Sequence, residues 1–232
     1  MIRIATLLLC WLVATMSSAR AQRPQVGFKA GLTTSTCSDV PNPENQWGLV
    51  AGIFLRQKLG KHLALQPELQ YEQRGVRTTQ EGRRGFEGSD GLYYRHAQTR
   101  LHYLSLPVLV RGQLGKFFAL AGPQLGFLAA ARQQSTTEYI FFNDRYPRPF
   151  PPSESTKSTA PYRRWELGYA VGAGYALSNR LAVEVRYTAG LTDIYKPLYS
   201  PYPMFDWRGP DPLVLARNRN WQAQISYQLS SM

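Results

Sequence analysis

The sequence predicts an all-β fold: an eight-stranded antiparallel up-and-down transmembrane β-barrel, preceded by a cleaved signal peptide. Three observations predict it. Eight segments alternate apolar and polar residues with period two. The links between them alternate short and long. An export leader opens the chain, and no later window of 18 or more apolar residues follows that could cross a bilayer as a helix.

The leader is MIRIATLLLCWLVATMSSARAQ. Arg3 supplies a positive n-region, Ile4 to Ala14 an apolar core too short to span a membrane, and Ala19-Arg20-Ala21 a small-x-small cleavage site. Residues 1–21 are therefore expected to be removed, leaving residues 22–232 as one barrel domain of roughly 210 residues, a common size for an undivided all-β domain. Cys10 follows three leucines and lacks the small residue that a lipid-attachment signal places just before its cysteine. Loss of Arg3 and Arg20 lowers the formal charge from +12 to +10. The remaining basic residues are scattered singly, with no tract of the kind that grips nucleic acid, so no nucleic-acid partner is expected. Cys37 is the one cysteine left, which excludes an internal disulfide.

The strands follow in order. VGFKAGLT (26–33) and QWGLVAGIFLRQ (46–57) alternate loosely. HLALQPELQYEQ (62–73) sets Leu63, Leu65, Pro67, Leu69 and Tyr71 against His62, Ala64, Gln66, Glu68, Gln70 and Glu72. Two further segments cover about 99–112 and 117–131. RWELGYAVGAGYAL (164–177), LAVEVRYTAGL (181–191) and NWQAQISYQL (220–229) complete the set, the second with Leu181, Val183, Val185 and Tyr187 opposite Glu184 and Arg186. Helical spacing would scatter both groups round an axis; a strand separates them. KLGK (58–61), QLGK (113–116) and SNR (178–180) read as tight turns. Long polar or proline-rich links fall at about 34–45, 77–97, 133–161 and 194–217, all at the other end of the meander. Short inner turns and long outer links are the plan of a Gram-negative outer-membrane barrel with both termini inside.

A soluble lipocalin-like barrel shows the same alternation with its faces reversed. Three features favour the membrane. Several strands reach the length of a tilted bilayer crossing. Phe117, Trp165, Trp221, Tyr71 and Tyr187 lie towards strand ends on the apolar face, where an interfacial girdle would be. The polar face mixes both signs of charge with glycine, which suits a crowded, self-pairing lumen. Leu167, Leu181, Val183 and Ile225 decide the matter: outward in a membrane barrel, inward in a soluble cup.

The pieces VGFKAGL (26–32), LALQPELQYEQRG (63–75), HYLSLPVLVRG (102–112), FFALAGPQLGFL (117–128), LGYAVGAGY (167–175) and VEVRYTAGLTDI (183–194) run in order along nearly the whole mature chain. Together they resemble the PorT-like outer-membrane β-barrel family of Bacteroidetes-type bacteria. That resemblance implies an eight-stranded barrel in the cell outer membrane and little about activity, since most members have no assigned biochemical role. The founding member is linked to protein secretion, a role that these motifs do not carry over. Members commonly end the last strand on an aromatic; this chain ends it Tyr227-Gln228-Leu229, followed by Ser-Ser-Met, which alters any terminal-aromatic assembly signal.

On this fold Lys29, Arg56, Glu68, Glu72, Arg111, Glu166, Glu184 and Arg186 point into the lumen, and ion pairing is expected there, because buried charges need partners. Eight strands leave an interior that side chains just fill, which argues against an ion or proton path. A catalytic site would have to draw on His96 or His102 with Asp90, Ser105 or Ser89, and spacing alone does not support it. No H-E-x-x-H occurs, so neither a metal nor any other cofactor is expected. GAGYAL (172–177) lacks the third glycine and the helix of a dinucleotide loop. The function expected is therefore non-enzymatic, structural or interactive, with a barrel hydrolase or acyltransferase and a soluble ligand-binding barrel as alternatives. The expected partners are outer-membrane lipid and lipopolysaccharide, the barrel-assembly machinery during insertion, and a protein at the outer links. There GRRGFEGSDGLYYRH (82–96) and NDRYPRPFPPSESTKS (143–158) mix arginines with aromatics. Pro67, Pro107 and Pro123 fall inside strands of a closed sheet with no free edge, and local bulges are expected at all three.

Overall fold

The computed structural model describes residues 24–38, 43–86, 89–141, 148–149, 154–196 and 216–229. The export leader, most of the 143–158 and 194–217 links and Ser230–Met232 lie outside the described residues. Eight long strands form the wall: β1 (Gln25–Cys37), β2 (Gln46–Lys58), β3 (Leu63–Phe86), β4 (Ser89–Leu114), β5 (Phe117–Phe141), β6 (Trp165–Ala176), β7 (Leu181–Gly190) and β8 (Asn218–Gln228). Each pairs antiparallel with its neighbour in sequence, and β8 returns to β1 along Gly27↔Gln228 to Cys37↔Asn218, which closes the ring. Closure leaves every wall strand paired on both sides, as a lipid-facing sheet requires.

Alternation fixes the faces as expected. Leu167 and Ile225 are each 57% exposed, and Leu181 and Val183 share their outward parity, while Ala182, Glu184 and Arg186 between them are buried. The apolar face is outside, so the soluble cup is excluded. The outward aromatics resolve into two girdles. At the outer end Tyr187 lies 5.1 Å from Trp221 and Phe127 4.9 Å from Trp165, ring centre to ring centre. At the inner end Phe28 lies 5.4 Å from Tyr227 and Phe117 5.0 Å from Tyr175. From Phe117 to Phe127 is roughly 33 Å of strand, or about 25 Å of height at a 40° tilt, the depth of an outer-membrane apolar band.

The short turns lie where they are expected. Gly115 takes a positive φ of 61° in the β4–β5 turn, a conformation that suits glycine. Ser178 Oγ accepts hydrogen bonds from the backbone N–H of Arg180 and of Leu181 in the β6–β7 turn.

Two expectations need correction. The stretches 77–97 and 133–161 are not simply long links, because β3, β4 and β5 run on for 24, 26 and 25 residues. Arg77–Phe86 pairs with Ser89–Gln98, and β4 in turn pairs with β5 as far as Gly91↔Phe141. Short strands at Pro43–Glu44, Arg148–Pro149 and Glu154–Thr156 flank this extension. Beyond Val76 period-two hydrophobicity stops while backbone pairing continues.

The bulges expected at the prolines are the second. Pro67↔Val108 and Gln70↔Ser105 keep one offset, as do Pro107↔Gln124 and Val110↔Ala121, and Phe54↔Glu68 and Gln57↔Leu65. Two ladder pairs drop out beside each proline and no residue is inserted. The missing donor costs local pairing, and the strands stay in register. They also stay close: a Cβ on Gly122 would sit 2.0 Å from the Val108 carbonyl oxygen, so only glycine fits beside Pro123. The one register shift between β4 and β5 lies at His102/Tyr103, whose partners Ala130 and Leu128 leave Ala129 as the extra residue.

Candidate functional site: the charged lumen and the outer sheet

The inward face of β3 reads Gln66, Glu68, Gln70, Glu72, Arg74, all buried. Glu68 is the hub. Its Oε1 accepts from Lys29 Nζ at 2.8 Å and Gln66 Nε2 at 2.6 Å, and its Oε2 from Arg186 Nη1 at 2.9 Å and Gln70 Nε2 at 2.6 Å. Glu184 Oε1 takes a second bond from Lys29 Nζ and one from Arg186 Nη2, each at 2.8 Å. Two cations and two carboxylates thus form a neutral quartet drawn from β1, β3 and β7, with every side chain fully shielded from solvent.

A second cluster lies further out. Arg74 pairs with Glu72 at 2.7 Å and with Glu166 at 2.5 Å. Gln222 Nε2 donates to Glu72 Oε2 at 3.1 Å, and Asn218 Nδ2 donates to Glu166 Oε2. Gln222, Gln224, Ser226 and Gln228 line the β8 wall with amides and a hydroxyl that complete the polar lumen. Arg111 and Arg56 sit towards the inner end without a carboxylate of their own. Arg111 stacks 3.3 Å from the centre of the Phe118 ring, and its Nε and Nη1 have no hydrogen-bond partner. Arg56 donates to Gln66 and Gln228 and lies over Phe54.

The outer end of the lumen is apolar. Cys37, Val76, Leu101, Tyr103, Leu128 and Ala131 project inward from the wall, and Tyr162, Ile194 and Ala216 fold over them from the links. Backbone bonds from Ile194 N to Ala216 O (2.9 Å) and from Arg163 N to Ile194 O (2.7 Å) hold this cap in place. Burial raises the phenols of Tyr162 and Tyr195 above the ordinary tyrosine range, so both are neutral here.

All eight charges expected in the lumen lie on its inner face. Arg74 was missed because the alternating segment was read only to Gln73, although parity carries one step further. The cap residues were missed for a different reason: they lie in links, where no period marks an inward side chain.

The histidines stay outside. His102 Nδ1 lies 2.6 Å from the Tyr71 hydroxyl on the lipid-facing surface, and His96 Nδ1 lies 3.2 Å from Thr79 Oγ1 on the outer sheet. Each therefore has a hydroxyl within reach. Among the described residues neither imidazole has a hydrogen bond to a carboxylate, and Glu44 meets Thr79 instead, at 3.4 Å. Ser105 is buried in the lumen beside Arg74, on the opposite face from His102. Among the described residues no group of three His, Cys, Asp or Glu side chains could hold a metal ion. GAGYAL faces a ring, not a phosphate: a Cβ on Gly174 would lie 2.3 Å from Phe118 Cζ.

The sequence model described as "Outer membrane protein beta-barrel domain" matches residues 17–196, well over half of the chain. The chain belongs to that outer-membrane β-barrel family. Its place is the cell outer membrane, and the closed ring with an apolar exterior is the form that place demands. Among solved structures it is similar to the attachment invasion locus protein Ail of Yersinia pestis, at 12% identity and a TM-score of 0.40, covering 90% of this chain and all of that one. It is also similar to Neisserial surface protein A, at 10% identity and a TM-score of 0.36, covering 89% of this chain and 99% of that one. No match was found among curated proteins.

Proposed function

We propose that this outer-membrane barrel is a non-enzymatic interaction protein whose contact surface is the sheet that β3, β4 and β5 carry beyond the outer rim. The observation that supports this is the extension itself. Arg77–Phe86 and Ser89–Gln98 add roughly 30 Å of paired strand above the barrel, on the usual rise per residue. The lumen needs none of it, since the apolar cap already lies below. Arg100 and Arg132 stand directly opposite each other at its base, both exposed and of like charge. That pair suits the phosphates of lipopolysaccharide, which would anchor the sheet upright on the membrane. The remaining surface is left for a protein partner.

The PorT-like motifs support a finer placement within the family. A secretion role does not follow, because those motifs are mostly wall residues that serve lipid contact and lumen packing. An enzymatic reading has less support: His96 is exposed on the outer sheet, and His102 sits on the lipid-facing wall against Tyr71, across the strand from buried Ser105.

A photo-crosslinking residue at Glu81, in cells carrying the full chain, tests the proposal. A discrete protein adduct from that position, and none from Leu59 in an inner turn, is the expected result. Equal adducts from both positions, or none from Glu81, would overturn it.

A further inference from the structure

The outer wall carries a depression at its inner end. Leu63, Gly112, Ala119 and Ala173 form one row across four adjacent strands, each paired with the next. Three of the four are small, while the flanking Leu114 and Phe117 stand out, 78% and 69% exposed. The groove so made has a volume of about 480 Å³, and His62 closes one side, its Nδ1 held 3.2 Å from the Gln113 carbonyl. On an outer-membrane barrel this row faces hydrocarbon just above the inner girdle of Phe117 and Tyr175, so an apolar chain must fill it.

The rim beside it has one sign of charge. The turns at 58–61, 113–116 and 178–180 contain Lys58, Lys61, Lys116 and Arg180 and not one acid. Lys61 and Lys116 are exposed and adjoin groove residues directly, next to His62 and Phe117 respectively. Both lysines thus sit beside the groove in sequence, in turns at the periplasmic end of the wall, where the inner leaflet carries its phosphates.

We propose that this groove binds one anionic phospholipid of the periplasmic leaflet, an acyl chain lying along Gly112, Ala119 and Ala173 and the phosphate meeting Lys61 and Lys116. A zwitterionic lipid would fill the groove and gain less, because its own ammonium or choline offsets the phosphate. The site is separate from the outer sheet and does not depend on that surface having a partner.

Native mass spectrometry of the detergent-purified full chain tests this, with phosphatidylglycerol and phosphatidylcholine of identical acyl chains as probes. Each lysine near the membrane surface is worth about fivefold in anionic-lipid affinity, so with two lysines retention of phosphatidylglycerol should exceed that of phosphatidylcholine by about 25-fold. The double variant K61Q/K116Q lies in exposed turns and should remove that preference. Gly112→Leu fills the groove: a Cβ there meets nothing nearer than Leu63 Cδ2 at 4.0 Å, so the wall accepts it. It should lower retention of both lipids while the heat-modifiable gel shift of the folded barrel is kept. Equal retention of the two lipids by the native chain, or no effect of either variant, overturns the site. Displacement of the lipid by inorganic phosphate at equal concentration would also overturn it, by showing a site for free phosphate alone.

Discussion

Replacing Glu68 by Gln should destabilise the barrel far more than its conservative size suggests. Glu68 accepts from Lys29, Arg186, Gln66 and Gln70, and its side chain is fully shielded. The amide keeps the volume and one acceptor. It removes the charge, and Glu184 is then left to neutralise both Lys29 and Arg186. Breaking a buried pair on one side costs about 3–5 kcal/mol, because the partner charge stays buried without compensation. The amide nitrogen also faces cationic donors, so the upper half of that range is expected. A urea titration of the full chain in lipid vesicles, read by the heat-modifiable gel shift, measures the loss. The double variant K29M/E68Q sharpens the test, since Arg186 and Glu184 then remain as a neutral pair. It should be less destabilised than E68Q alone, a coupling that additive single effects cannot produce. A loss below about 1 kcal/mol in E68Q, or a double variant whose loss equals the sum of the two singles, would refute the charge-balance reasoning.

Arg111→Met should change stability by no more than about 1 kcal/mol in the same titration, since it retains bulk against Phe118 and removes a cation that has no carboxylate of its own. Gly122→Val should prevent the heat-modifiable form from appearing, because its Cβ would lie 2.0 Å from the Val108 oxygen and the strands there cannot part without opening the ring. Pro123→Ala should change the unfolding free energy by less than about 1 kcal/mol, for its pairing with Tyr169 is intact and the gap beside Val108 can accept a new donor. Tyr162→Ala removes the largest cap side chain and should cost about 3 kcal/mol, with new protease cleavage in the outer links as the sign that the cap has lifted.

The wall was legible because both its environments are extreme. Leu181, Val183 and Val185 face hydrocarbon while Glu184 and Arg186 face a packed polar interior, so each residue pair reports its faces twice over. The same contrast gave the lumen charges their direction. It could not give them partners: Lys29 meets Glu184 across 155 positions of sequence, through a register fixed only when β8 closes on β1. Above the rim the contrast vanishes. Residues 77–86 carry no apolar alternation in the sequence, and their strand character rests on backbone pairing that side-chain polarity does not reveal. The prolines show the converse. Their missing donors were visible, but a ladder can lose two bonds and keep its register, and the choice between that and a bulge lies with the neighbouring strands.

The layering of the lumen along its axis argues for a scaffold. From the outer end inward it passes from the apolar cap of Tyr162, Ile194 and Leu101, through Arg74 with two carboxylates, to the neutral quartet and then to Arg56 and Arg111. A transported ion would have to break several of these contacts in turn, each between groups with almost no exposure. The cost of one such break, about 3–5 kcal/mol, already exceeds what a binding site weak enough to release its ion can supply. The interior therefore holds the wall in one shape, and a cation crossing it would meet the cap first. Among the described residues two features lie outside this network: a paired sheet standing above the rim, and a basic edge beside a lipid-facing groove below it. Each can be altered while the lumen network is left intact, so the roles proposed for them are separable by mutation from the stability of the fold.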